Sequence, residues 1–354
     1  MYIYLSRYNR YVLSSLLLVL FLLSITSLAI SVSNISSGAG PSYGVYVNGE
    51  VYFVAQSANE LQVIKGDSIV QTYPLPHFGK AVPFKIAYGD GYFFIAYEKG
   101  PFIQLNSKLH DVNNYTINEI GNYPDIIYAG NYAIVTASYG NSVYFISPSG
   151  KITEVTVMSS PQALAYDNYT NIVYVGAYSN NSIYGISLSS LSVIKKFTIN
   201  DSTIESMAFV PPDILAVATY DQQVEFINLT NDKIIHTVTF TGGINGYSQI
   251  IYANGFLYLS LAHQNDQVAV MNTSGALIDL VTVGNGPNGI VYDPSDNDIY
   301  VMAYSSNQVN YFTALTPSVP HTTVHVSTIN YPLIAGIAVV VLVIIGIVVF
   351  IRRR

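Results

Sequence analysis

The sequence predicts an all-β chain, a seven-bladed β-propeller ectodomain with a C-terminal transmembrane helix. Three observations carry that prediction. A short apolar strand motif recurs seven times at intervals of 40 to 42 residues, helical periodicity is missing from the body, and a 19-residue uncharged run stands directly before three terminal arginines.

The repeat comes first, because a period of this size decides the architecture. The runs VYFVAQS, YFFIAYE, YAIVTAS, VYVGAYS, LAVATYD, LYLSLAH and IYVMAYS end at Ser57, Glu98, Ser138, Ser179, Asp221, His263 and Ser305. Each is rich in β-branched and aromatic residues, as a buried strand requires. An earlier strand precedes each run and carries one aromatic at a fixed place: Tyr46, Tyr88, Tyr128, Tyr166, Phe209, Tyr252 and Tyr292. A polar turn and a third strand follow, and most units close with a fourth, as in Lys151–Val157 and Leu277–Val283. Asp90-Gly91, Asn254-Gly255 and Ser149-Gly150 mark hairpin turns that need positive φ. Four strands per unit, seven times over, describe a propeller with one small sheet per blade. The aromatic column is expected to pack blade against blade, because large amphipathic rings fill the gap between twisted sheets and keep one polar tip wet.

The seventh unit stops after three strands, near Thr313. Ring closure needs a fourth from elsewhere, since an open edge invites aggregation. Ile30–Ser36 is the preferred donor, and Thr323–Thr328 the alternative.

The ends read as membrane signals. Leu333–Ile351 is long enough to cross a ~30 Å hydrocarbon layer as a helix. Arg352, Arg353 and Arg354 fix its cytoplasmic side, which puts the body outside. At the other end Arg7 and Arg10, the apolar Leu16–Leu23 and Ser27-Leu28-Ala29 have the layout of a secretory signal cleaved near Ala29; an uncleaved signal anchor is the alternative. The expected organisation is a signal peptide over 1–29, the propeller over 30–314, a stalk over 315–331, the membrane helix over 332–351 and a cytoplasmic arginine tail over 352–354.

Charge supports this division. All five arginines lie in the two end segments, while nine lysines and 21 acidic residues leave the body at −12. An acidic body repels phosphates, so nucleic acid is excluded as a partner. The absence of cysteine excludes disulfides and thiolate metal sites. The low charge, the abundance of Tyr, Ile, Ser and Asn, and the many glycosylation motifs suit an archaeal-like surface in hot or acidic medium, where carboxylates lose their charge.

Part of the repeat also resembles a family. Val283-Gly284-Asn285-Gly286-Pro287-Asn288-Gly289, then Asp293-Pro294, Ile299-Tyr300-Val301 and Asn307-Gln308-Val309, looks like the YVTN-type β-propeller repeat. The fourth unit carries a weaker version in Ser160-Pro161, Tyr166-Asp167, Val173-Tyr174-Val175 and Asn181-Ser182-Ile183, and the first, second and fifth units depart from it. The resemblance implies a propeller and an extracellular setting, as in parts of archaeal and bacterial surface-layer and cell-surface proteins. It carries no catalytic residue.

Candidate site residues are few. Asn-x-Ser/Thr motifs occur at Asn34, Asn114, Asn168, Asn180, Asn200, Asn228 and Asn272, which are candidate N-glycosylation sites on a secreted body. Asp293, Asp296 and Asp298 crowd one hairpin and form a weak candidate calcium loop, although Asp293-Pro294 is also a good turn opener. The loops holding Pro83, Pro124, Pro161 and Pro287 form a candidate binding face. Two motifs match enzyme signatures by letter only. Gly284-x-Gly286-x-x-Gly289 is followed by a strand where a dinucleotide site needs a helix, and Gly40-Pro41-Ser42-Tyr43-Gly44 opens the first blade where a nucleophile elbow needs a strand–turn–helix. No cofactor and no catalytic residue is therefore assigned. The expected function is that of a membrane-anchored, glycosylated surface scaffold binding a surface-layer protein, a glycan or another cell-surface partner. An extracellular lyase or hydrolase with acids in the channel mouth, and a sensor subunit, are the alternatives.

Overall fold

The computed structural model describes residues 30–317, apart from 118, 119, 158, 159, 179, 201, 202, 263 and 264. The expected leader, most of the stalk, and the apolar run with its arginine tail lie outside the described residues. Among the described residues no helix is long and apolar enough to cross a membrane.

Twenty-eight strands form seven four-stranded antiparallel sheets among the described residues. The first, β1 (Ser33–Ser36), precedes the blades. Blade 1 is β2 (Pro41–Val47), β3 (Glu50–Ala55), β4 (Glu60–Lys65) and β5 (Ser68–Pro74). Blade 2 is β6 (Val82–Gly89), β7 (Tyr92–Glu98), β8 (Phe102–Asn106) and β9 (Asp111–Tyr115). Blade 3 is β10 (Ile126–Ala129), β11 (Tyr132–Ala137), β12 (Ser142–Ile146) and β13 (Ile152–Thr156). Blade 4 is β14 (Pro161–Asp167), β15 (Ile172–Ala177), β16 (Ser182–Ser187) and β17 (Ser192–Thr198). Blade 5 is β18 (Ile204–Val210), β19 (Ile214–Thr219), β20 (Gln223–Asn228) and β21 (Lys233–Thr239). Blade 6 is β22 (Ile250–Ala253), β23 (Phe256–Leu261), β24 (Gln267–Asn272) and β25 (Leu277–Thr282). Blade 7 takes β26 (Pro287–Asp293), β27 (Asp298–Ala303) and β28 (Gln308–Thr313) from the end of the chain and β1 from its beginning.

The inner strands β2, β6, β10, β14, β18, β22 and β26 stand side by side around a central channel. Two sets of connections then fall on opposite faces. The upper face holds the turns between second and third strands and the links between blades. The lower face holds the first-to-second and third-to-fourth turns.

Burial explains why the inner three strands of each blade read as continuous apolar runs. A neighbouring blade covers each of their faces, as in β15, where Val173–Ala177 is wholly buried. The outer strands keep one face wet, and β13 shows the alternation. Seven apolar clusters fill the seven gaps between blades, and each takes one member of the aromatic column: Tyr46, Tyr88, Tyr128, Tyr166, Phe209, Tyr252 and Tyr292. All seven rings are half-buried. Two polar tips find the left-handed asparagine of their own hairpin: Tyr166 donates to Asn171 Oδ1 at 2.6 Å, and Tyr292 to Asn297 Oδ1 at 3.0 Å.

Closure uses the N-terminal segment. β1 pairs antiparallel with β28, Ser33 opposite Tyr311 and Ser36 opposite Gln308, and Ile35 turns into the core between blades 7 and 1. On the upper side Asn307 completes the seam, its Oδ1 accepting from Gly40 N at 2.9 Å and its main-chain oxygen from Ser37 N at 3.1 Å. Gly289 lets the first and last inner strands meet, because a Cβ there would stand 2.4 Å from the Ser42 carbonyl oxygen. The propeller begins and ends at one place on the lower face. Ile30 and Leu315 pack on the same apolar cluster, and Leu315 N donates to Tyr258 Oη at 2.9 Å.

Candidate functional site

The upper mouth of the channel is built from the inner strands and two long blade-to-blade links. Residues 116–125 join blades 2 and 3, and residues 240–249 join blades 5 and 6. Tyr123 of the first link and Tyr247 of the second meet edge to face over the channel, with ring centroids 5.0 Å apart. Beneath them Tyr43 and Phe84 pack edge to face at 4.9 Å, and Phe84 lies within 6.2 Å of both upper rings. Aromatic rings in this geometry gain ~0.5–1.5 kcal/mol per pair beyond simple burial, so the roof is a rigid plug.

Polar groups under the plug tie the blades together. Lys85 and Asp125, 9 % and 8 % exposed, form an ion pair at 3.0 Å between blades 2 and 3. Asp125 also accepts from Ile126 N and, across the next gap, from Leu164 N at 2.8 Å. Lys85 Nζ stands 4.5 Å from the Tyr43 ring centre, which is cation–π distance. Gln162 donates to Glu205 Oε2 at 3.0 Å, Ile250 N to Ser206 Oγ at 3.1 Å, and Ile290 N to Gln249 Oε1 at 2.8 Å. Ser42 is fully buried and donates to the Val54 and Phe84 carbonyls, so it is a structural link between blades 1 and 2.

Two acids border the mouth. Glu98 Oε1 accepts from Tyr123 N at 3.1 Å and holds the long link in place; burial raises its pKa. Glu205 is 3 % exposed, and its Oε1 has no hydrogen-bond partner. Burial pushes its carboxyl up to about 7, against the opposing pull of Gln162 and Lys85. The rim above is rich in tyrosine. Tyr139, Tyr178 and Tyr220 are 61 %, 43 % and 56 % exposed on consecutive blades, and Tyr304 of blade 7 shares a 2.9 Å hydrogen bond with Ser57 of blade 1.

The structure puts the candidate prolines on this same face, but not as contact surface. Pro83, Pro124, Pro161 and Pro287 are all buried, at or just before the starts of inner strands. They shape the loops, while the rim tyrosines supply the accessible surface. Those tyrosines were missed as a site because the strand motif absorbs Tyr178, Tyr220 and Tyr304; a tyrosine one position past the end of the second strand in several units is the signal that marks them.

The glycosylation motifs divide into two groups. Asn34, Asn114, Asn168 and Asn200 are exposed, whereas Asn180, Asn228 and Asn272 are half-buried. Asn228 Oδ1 accepts from Thr230 N and Asn231 N, and its amide donates to Asp213 at 3.1 Å. Asn272 Oδ1 accepts from Ser274 N, Ser274 Oγ and Ala276 N. Asn106, which is not in such a motif, caps the equivalent turn of blade 2 in the same way. In blades 5 and 6, then, Asn-x-Ser/Thr also encodes a side-chain-capped turn.

The candidate calcium loop is a side-chain-capped turn in this structure. Asp293 is buried and its Oδ1 accepts from Ser295 N, Ser295 Oγ and Asp296 N, which makes it a turn cap. Asp167 does the same in blade 4. Among the described residues no three histidine or acidic side chains converge to hold a metal. Burial, with the neighbouring Asp296 and Asp293 adding to it, raises the pKa of Asp298.

No protein-family model matches the chain, and no curated protein matches it in sequence. Solved structures match in shape. Virginiamycin B lyase of Staphylococcus aureus superposes with a TM-score of 0.70 at 18 % identity, covering 81 % of this chain and 100 % of the lyase. A streptogramin B lyase gives 0.70 at 14 % identity over 82 % and 99 %. Hydrazine synthase of Kuenenia stuttgartiensis gives 0.67 at 12 % identity over 78 % and 96 %. Identities this low speak for the fold alone, and the fold they share with this chain is the seven-bladed propeller.

Proposed function

We propose that this chain is a membrane-anchored, N-glycosylated binding propeller of the cell surface, related to the YVTN-type repeat proteins. It uses the tyrosine-rich upper rim to hold a surface-layer protein, a glycan or another surface partner. The observation that carries this reading is where the described propeller begins and ends. Ile30 and Leu315 pack on one apolar cluster at the lower face, which leaves the upper rim clear of both segments. Tyrosine suits such a rim, because each ring offers broad contact area and a hydroxyl at little entropic cost. The aromatic plug fills the upper mouth, so a partner on the rim meets a surface rather than a cleft.

Labelling intact cells with a membrane-impermeant biotin reagent tests the reading, together with carbonate extraction and glycopeptide mass spectrometry. The expected result is a labelled, carbonate-resistant protein with glycan on one or more of Asn34, Asn114, Asn168 and Asn200. Recovery of unlabelled, glycan-free chain in the soluble cytosolic fraction overturns it.

A further inference from the structure

Below the aromatic plug the channel widens into a cavity of about 400 Å³, within the range of small-molecule sites. It runs down to the lower-face turns that hold Asn168 and Pro211. Ile127, Ala165, Met207 and Ile251 give its wall apolar patches, Tyr166, Phe209 and Tyr252 add aromatic surface from three consecutive blades, and polar groups make up the larger part of the exposed lining. Lys85, Asp125, Ser206 and Gln249 are the polar side chains at its inner end.

The hydrogen-bond inventory of that inner end is one-sided. Both Asp125 oxygens are engaged, Oδ1 by Lys85 Nζ and Ile126 N, and Oδ2 by Leu164 N. Gln249 Oε1 is engaged by Ile290 N, and Ser206 Oγ accepts from Ile250 N. Donors are left over. An ammonium group has three N–H bonds, and Lys85 gives one to Asp125 and faces the Tyr43 ring with its charge. The Gln249 amide N–H groups and the Ser206 O–H complete the surplus. The charges are already balanced, so a free anion finds no unpaired cation, and a cationic head would meet Lys85.

The geometry points to this cavity as a binding site for a small, neutral molecule that pairs a compact apolar part with a carbonyl-type acceptor for Lys85, Gln249 and Ser206. It opens on the face opposite the tyrosine rim and does not depend on the rim's role. Binding takes two complementary parts: the apolar and aromatic side chains of the wall cover the compact apolar part, and the donors otherwise left to water meet the acceptor.

The test is calorimetric titration of the full chain with three bicyclic probes of one shape: camphor, its hydrocarbon parent bornane, and bornylamine. Saturable one-site binding of camphor is expected, at least tenfold tighter than either analogue. Lys85→Met should weaken camphor at least tenfold, and Ile251→Trp, which leaves every polar partner in place, should block it by filling the cavity. If Lys85→Met fails to fold, Gln249→Met and Ile251→Trp carry the test. Equal affinity for all three probes, no binding of camphor, or camphor binding untouched by Ile251→Trp overturns the proposal.

Discussion

Tyr43 reaches across the channel to Tyr247, its hydroxyl donating to the main-chain oxygen of that residue at 2.8 Å. The two are 204 residues apart, one on the inner strand of blade 1 and the other on the link between blades 5 and 6. Most bonds around the channel join neighbouring blades. This one joins opposite sides, and it holds the link that carries the roof. Burial raises the Tyr43 phenol well above its ordinary value, with Asp125 and Glu98 adding to the shift, so it stays a donor at any physiological pH.

Tyr43→Phe removes that bond and leaves the Tyr247 oxygen without its donor. Losing a hydrogen bond at this half-buried acceptor costs ~0.5–1.5 kcal/mol. Urea unfolding should show a loss of that size, and amide exchange should speed up in residues 240–249 while the outer strands stay unchanged.

Ring closure gives a second expectation. Ile35 is buried between the last blade and the first, so Ile35→Ala should cost ~2–4 kcal/mol. Removing residues 30–36 should do more, because it exposes the β28 edge to pairing with another chain. Size-exclusion chromatography should then show oligomers absent from the intact protein; a monodisperse monomer of unchanged stability would exclude the closing role of β1.

How much of this was readable beforehand follows from which physics is local. The blade count, the strand motif and the place of each column aromatic were legible, because burial on both faces writes a continuous apolar run into every inner strand. The N-terminal closing strand was legible by subtraction, since blade 7 lacks its fourth strand. Lys85 with Asp125, Gln162 with Glu205, and Tyr43 with Tyr247 were not. Each pair is 40 or more residues apart and meets only through the curvature of the ring. Asp293 was ambiguous for a related reason: an acidic turn cap and a metal ligand use the same residue type, and the hydrogen bonds show the cap.

The turn caps separate fold from modification at the glycosylation motifs. In unglycosylated recombinant protein, Asn228→Ala should cost ~1 kcal/mol, because two main-chain N–H groups and Asp213 lose their partner. Asn168→Gln, at an exposed position, should leave stability within ~0.5 kcal/mol of the parent. Thermal melts of the two variants side by side check this, and a neutral Asn228→Ala would remove the structural reading of that motif.

Glu205 makes stability depend on pH in a definite direction. Its folded pKa, about 7, lies above the ordinary value of 4.5. Between those two values the folded chain keeps a proton that the unfolded chain has released, so stability falls as pH rises through the window. Below pH 4.5 this residue imposes no penalty; above pH 7 the penalty is complete, on the order of 3 kcal/mol. Burial shifts Glu98 in the same direction, which adds to the trend. Urea unfolding from pH 4.5 to 8 should therefore show a declining free energy. Glu205→Gln keeps the shape and cannot ionise, so it should flatten that decline and be the more stable protein at pH 8. A parent whose stability rises over this range, or a variant with the parent's slope, would show that Glu205 is not held in the desolvated position between Gln162 and the channel mouth.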